Sequence, residues 1–110
     1  MSFEVREHND VCVIDVAGQL IISNRQELKE TILAELERGE RKFLIDFDQA
    51  DYIDSSGIGA LISLSKRIRT AGGELRLANL NPDLRTLFEL TKLDTHFAIS
   101  PTRDAALSGF

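Results

Sequence analysis

"KFLIDFDQADYIDSSGIGAL", Lys42 to Leu61, changes character halfway along its length. Its first six residues are almost wholly apolar. A run of that length and composition is a strand covered on both faces, hence central in a sheet and parallel to a neighbour. "DQADYID" then reads as a loop. Beyond it Ile58, Leu61, Ile62, Ser65 and Ile68 recur on one helical face, with Leu64 beside them, until Ala71-Gly72-Gly73 stops the helix. A covered strand, a loop and an amphipathic helix together form the unit from which α/β domains are built.

Working outward, "FEVREH" and "VCVIDVAG" are β-rich runs on either side of Asn9-Asp10, a turn pair, and read as a hairpin whose second strand ends at Gly18. In "LIISNRQELKETILAELERG", Ser23 with Gln26 makes a capping box, Asn24 with Glu27 offers a second frame, and Gly39 supplies the stop. Leu28, Ile32 and Leu36, widened by Leu33, give that helix its apolar stripe. Downstream, "ELRLAN" is a short strand and Asn81-Pro82 opens the helix "PDLRTLFELTK". After the short strand "HFAI", Ser100-Pro101 repeats the device and starts a last short helix. The order is β-β-α-β-α-β-α-β-α, with no linker or repeat. The expectation is one α/β domain over residues 1–110, a small mixed sheet packed with about four helices.

The chain has 110 residues, 43% of them hydrophobic, enough for one core without disulfides or metals. Thirteen basic against eighteen acidic residues leave a net charge of −5. That sign argues against partners that present phosphates, whether nucleic acid or anionic membrane. Cys12, the only cysteine, lies in the apolar run "VCVIDV" and reads as a buried, unreactive thiol. With neither a signal-type N-terminus nor a membrane-length apolar run, the expected location is cytoplasmic.

Glycine in the first turns of a helix costs about 1 kcal/mol against alanine. Gly57 and Gly59 therefore need a reason. Either they let a partner backbone or a nucleotide approach, or they let the helix pack tightly on the sheet; the sequence weighs these equally. Asp54 or Ser55 can cap the same helix. Its N-terminus, with free N–H groups and the positive end of the macrodipole, also tolerates a phosphate. A phosphoserine there would add about −1.5 to −2 charges beside Asp54 and Asp51 and would act on whatever docks against this surface.

Other chemistry finds less support. Asp46 and Asp48 are spaced like the carboxylate pair of haloacid-dehalogenase-type phosphotransferases, but the chain lacks room for the remaining motifs; the favoured reading is Asp46 at the sheet edge and a solvated Asp48. No Walker loop or Ser-x-x-Lys pattern occurs. His8 and His96 fall on separate strands, so no metal site is expected. "KRIR", Lys66 to Arg69, ends a helix where cations complement the dipole. The expectation is a binding module without catalytic residues, metal or cofactor.

Over nearly its whole length, from the strand "VCVIDVAGQL" to the end, the chain resembles the STAS domain, and most closely the free-standing anti-sigma factor antagonists of bacteria. The strand "VCVIDVAGQL", the core "YIDSSGIGAL", the turn "GGEL" and the segment "NPDLRTLFELTKLD" match in order. The resemblance implies a small mixed sheet with helices and a partner-switching mechanism. Ser55, the first serine of the D-S-S-G core, would be phosphorylated by a partner that is both anti-sigma factor and serine kinase. Unphosphorylated antagonist binds that kinase and frees the sigma factor, and a PP2C-type phosphatase resets the phosphorylated form. Asp54, Ser56, Gly57, Ile58, Gly59 and Ile21 are the expected partner-binding residues. A second function, of another class, is a nucleotide-binding or accessory STAS module of a transport or lipid-trafficking complex.

One position departs from the pattern. Family members commonly carry Asp after the G-x-L that ends the second strand, where this chain has Ile21. If that carboxylate orients the kinase's metal or the acceptor hydroxyl, Ser55 is modified slowly or not at all, and alternatively Ile21 and Ile22 are docking surface. The plainer reading puts Leu20 in the core, Ile22 as a staple on the helix N-terminus and Ile21 singly exposed.

Overall fold

A computed structural model describes residues 3–110. Its elements are β1 (Phe3–His8), β2 (Val11–Leu20), α1 (Arg25–Glu37), β3 (Lys42–Ile53), α2 (Ser55–Thr70), β4 (Glu74–Ala78), α3 (Pro82–Leu90), a 3₁₀ turn at Leu93–Thr95, β5 (Ala98–Ser100) and α4 (Arg103–Ser108). The strands form one sheet in the order β1-β2-β3-β4-β5; β1 and β2 are antiparallel and every other pair is parallel. Asn9 and Asp10 both have positive φ, 48° and 72°, as a two-residue hairpin turn matched to strand twist requires.

The layers follow from side-chain alternation along the strands. On one face Ile14, Val16, Phe43, Ile45 and Phe47 pack under Leu28 and Ile32 of α1, Leu61, Leu64 and Ile68 of α2, and Leu84 and Phe88 of α3. On the other, Val11, Val13, Leu44 and Ala78 pack against Ala106 of α4. β3 is thus central and covered on both sides, as its apolar run predicts.

Several boundaries differ from the expectation. β2 runs on past Gly18 to Leu20, and β3 continues through "DQADYI", the supposed loop. The two extensions pair with each other, Gly18 opposite Ala50 and Leu20 opposite Ile53, with register shifts that take up extra residues. Those shifts put buried Phe47, Ala50 and Ile53 three apart, so the strand lacks the period of two by which it could be recognised. Neither capping box forms on α1. The Asn24 side chain turns back instead, accepting from the Ile21 N–H at 2.8 Å and donating to the Gln19 carbonyl at 2.7 Å. Asn81 does cap α3, accepting from the Leu84 N–H at 2.8 Å, but α4 is capped by Thr102 rather than Ser100, the Thr102 hydroxyl accepting from the Ala105 N–H at 3.1 Å.

Candidate functional site

The extended ends of β2 and β3 lie side by side at the carboxyl edge of the sheet, where ligands and partners of open α/β sheets tend to dock. β3 hands over to α2 at Asp54, which decides the capping question left open by the sequence. Its backbone is extended, at φ −89° and ψ 179°, and its Oδ1 accepts from the Gly57 N–H at 2.8 Å. Oδ2 accepts from the Ile22 N–H at 3.1 Å, and the Asp54 N–H donates to the Leu20 carbonyl at 3.1 Å. Asp54 therefore holds both the start of α2 and the β2–α1 loop, which Asn24 stiffens from the other side.

Ser55 is the first residue of α2 and is exposed; Ser56 and Ile58 are half-buried. Among the described residues the backbone N–H groups of Ser55 and Ser56 have no protein acceptor, so they and the helix dipole face outward. The two glycines divide the roles proposed for them. A Cβ on Gly57 would collide with the Leu20 carbonyl oxygen and lie 2.9 Å from Ile53 Cγ2, so this glycine lets α2 sit close on the sheet. Gly59 is exposed with nothing within 4 Å of a Cβ, and it alone of the pair leaves open backbone facing solvent.

Leu20 is in the core, as expected, and Ile21 is half-buried rather than singly exposed. Ile22 is not a staple: it is 66% exposed, on the loop that Asp54 holds. Tyr52, next to the end of β3 and two residues before Asp54, is 52% exposed. Ile22, Asp51, Tyr52, Ser55 and Gly59 are all exposed.

Asp46 is not at a sheet edge. It is 3% exposed in the central strand, on the α4 side. It accepts from Arg103 Nε at 2.7 Å, Asn79 Nδ2 at 2.9 Å and the Asp48 N–H at 2.9 Å. Burial alone would raise its pKa, but these three donors together with the Arg103 charge outweigh it and hold the carboxyl below the usual carboxylate range. Arg103 pairs also with Asp15, which meets Arg6 at 3.1 Å. Through Arg103 this carboxylate anchors α4 to the sheet. Among the described residues no group of His, Cys, Asp or Glu side chains could hold a metal ion, and no helix is long and apolar enough to cross a membrane.

Comparison with known proteins agrees with this geometry. The family model described as "STAS domain" matches residues 2–106. BtrV of Bordetella bronchiseptica, named as a candidate anti-sigma factor antagonist, is 32% identical over 110 residues, covering 100% of this chain and 95% of its own. The anti-sigma-B factor antagonist of Bacillus subtilis is 27% identical over 100 residues, with 91% of each chain covered. The crystal structure of a candidate anti-sigma factor antagonist from Thermotoga maritima superposes with a TM-score of 0.91 at 26% identity, covering 97% of this chain and 92% of that one. With the family model spanning nearly the whole sequence and the five-stranded architecture shared, this chain belongs to the STAS-domain family.

Proposed function

We propose that this protein is an anti-sigma factor antagonist: a non-enzymatic binding module of the cytoplasm that engages an anti-sigma serine kinase while Ser55 is unphosphorylated, thereby releasing the sigma factor. The observation that carries the reading is the exposure of Ser55 at the first position of α2, beside a loop that Asp54 holds in place. A phosphate added there meets free N–H groups and a favourable dipole, so the fold persists while the surface gains charge. Ile21, Ile22, Tyr52, Ser56, Ile58 and Gly59 form the contact surface; Asp54 and Gly57 act behind it by setting the position of α2.

The energetics suffice. Taking a complex from almost fully formed to almost fully dissociated needs about 5.5 kcal/mol of differential affinity. An uncompensated charge buried at an interface supplies several kcal/mol of that. A PP2C-type phosphatase would return the module to its binding form.

Calorimetry against the cognate kinase tests the switch. Wild type and Ser55→Ala should bind, Ser55→Asp should bind far more weakly, and all three should show the same thermal unfolding. Intact mass after incubation with kinase and ATP reads the modification directly, and its position should be lost in Ser55→Ala. Equal affinities for Ser55→Ala and Ser55→Asp would refute the switch.

A further inference from the structure

The later turns of α2 place Ile62, Ser65, Lys66 and Arg69 along one stripe of the helix, and the chain after α3 crosses in front of it with Leu93, His96 and Phe97. Between them lies a cavity of about 190 Å³. Its floor is apolar: Phe97 is 6% exposed, and Ile62 and Leu93 pack on the main core. Its rim carries Lys66, Arg69 and His96, and no carboxylate lines it. By contrast, Glu4, Asp15, Asp46 and Asp48 all line the larger cavity of about 540 Å³ around Arg103.

The charges of Lys66 and Arg69 are not used internally. Among the described residues the ion pairs are made by Arg6, Arg38, Arg76 and Arg103. Among the described residues the Arg69 side chain donates only to the Ser65 hydroxyl, at 3.3 Å, and both residues line the cavity. Cations in the last turn of a helix complement its dipole, but Lys66 stands outside that turn. In a chain of net charge −5, an apolar recess rimmed by unpaired cations is a local reversal of sign.

We propose that this recess binds a small amphipathic anion. A carboxylate or phosphate head would be held by Lys66 and Arg69, with the Ser65 hydroxyl and the His96 ring as further polar contacts, while an aliphatic or aromatic body lies on Phe97, Ile62 and Leu93. Its volume is below the ~300 Å³ at which pockets for drug-sized ligands begin, so the ligand is short. The site lies about 16 Å along the helix axis from Ser55, at 1.5 Å per residue, and does not depend on the switch.

The probe is hexanoate, titrated into the ¹⁵N-labelled full chain and followed by amide chemical shifts, with hexanol and inorganic phosphate as parallel arms. The expected result is saturable shifts with hexanoate at Ser65, Lys66, Arg69, His96 and Phe97, with a Kd of about 1 mM or tighter. Hexanol and inorganic phosphate should each bind at least ~10-fold more weakly, since each offers only half of the complementarity. The double variant K66Q/R69Q, altered only at exposed side chains, should keep its thermal unfolding and lose at least ~10-fold in hexanoate affinity. Non-saturating shifts, equal affinity for inorganic phosphate, or unchanged binding by the variant would each overturn the proposal. Kinase binding does not enter this titration, so its outcome is separate from that of the Ser55 switch.

Discussion

The carboxylate of Asp54 accepts a hydrogen bond from the backbone N–H of Ile22 at 3.1 Å, joining segments 32 residues apart. Through its other oxygen the same side chain caps α2 at the Gly57 N–H. Local capping and long-range closure thus rest on one residue, immediately before the exposed serine.

Asp54→Ala should remove both bonds and destabilise the domain by about 1–2 kcal/mol, while Asp54→Asn, which keeps an acceptor for Gly57, should cost less. Urea unfolding measures the loss, and hydrogen exchange at the Ile22 amide should quicken in Asp54→Ala. A slow, unchanged Ile22 amide would show that the loop is held by other means.

The two helix-start glycines should respond in opposite directions. Gly57→Ala drives a methyl against the Leu20 carbonyl and Ile53, at a cost of about 1–3 kcal/mol. Gly59→Ala meets nothing within 4 Å and gains helix propensity, so it should stabilise by up to about 1 kcal/mol. If the partner needs bare backbone at Gly59, that more stable variant should bind the kinase less well, a combination that simple misfolding cannot produce.

Arg103 offsets the burial of Asp46. Removing one member of a buried pair costs about 3–5 kcal/mol, reduced here because the Arg103 side chain is 34% exposed, so Arg103→Ala should lose about 2 kcal/mol near neutral pH. The Asp46 carboxyl is depressed in the folded state relative to about 3.9 when unfolded. Its contribution is therefore complete above about pH 4 and disappears as pH falls through the folded value. Stability curves of wild type and Arg103→Ala should converge in acid; curves that stay parallel below pH 4 would contradict the pairing.

Cys12 is 2% exposed, and burial, reinforced by Glu35, Glu40 and Glu7, pushes its thiol up to about 12. Iodoacetamide at pH 8 should leave the native protein unmodified and alkylate it fully in denaturant, as read by intact mass. Rapid alkylation under native conditions would mean that the strand around Cys12 opens readily.

The elements were legible where their causes are local. The turn pair Asn9-Asp10, the apolar run at Phe43, the stripe of α2 and the Asn81-Pro82 cap each act within a few residues, and each is realised. The resemblance carried by "YIDSSGIGAL" led to the family that the whole-chain comparison shows. Reading failed where a residue's partner is distant. Asn24 looked like a cap but serves Ile21 and Gln19, and Ile22 looked like a staple but stands in solvent. The polar segment "DQADYI" looked like a loop because nothing local announces that β2 will extend to pair with it.

Amino-acid order by itself determined the succession of strands and helices, that β3 is covered on both sides, and that a hydroxyl would stand at the start of α2. Tertiary structure alone decided that Gly57 serves packing while Gly59 faces outward, and that Asp46 lies buried against an arginine 57 residues away. Propensity, periodicity and capping are set by neighbours in the chain, whereas close approach of a helix to a sheet and compensation of a buried charge exist only once distant segments have met.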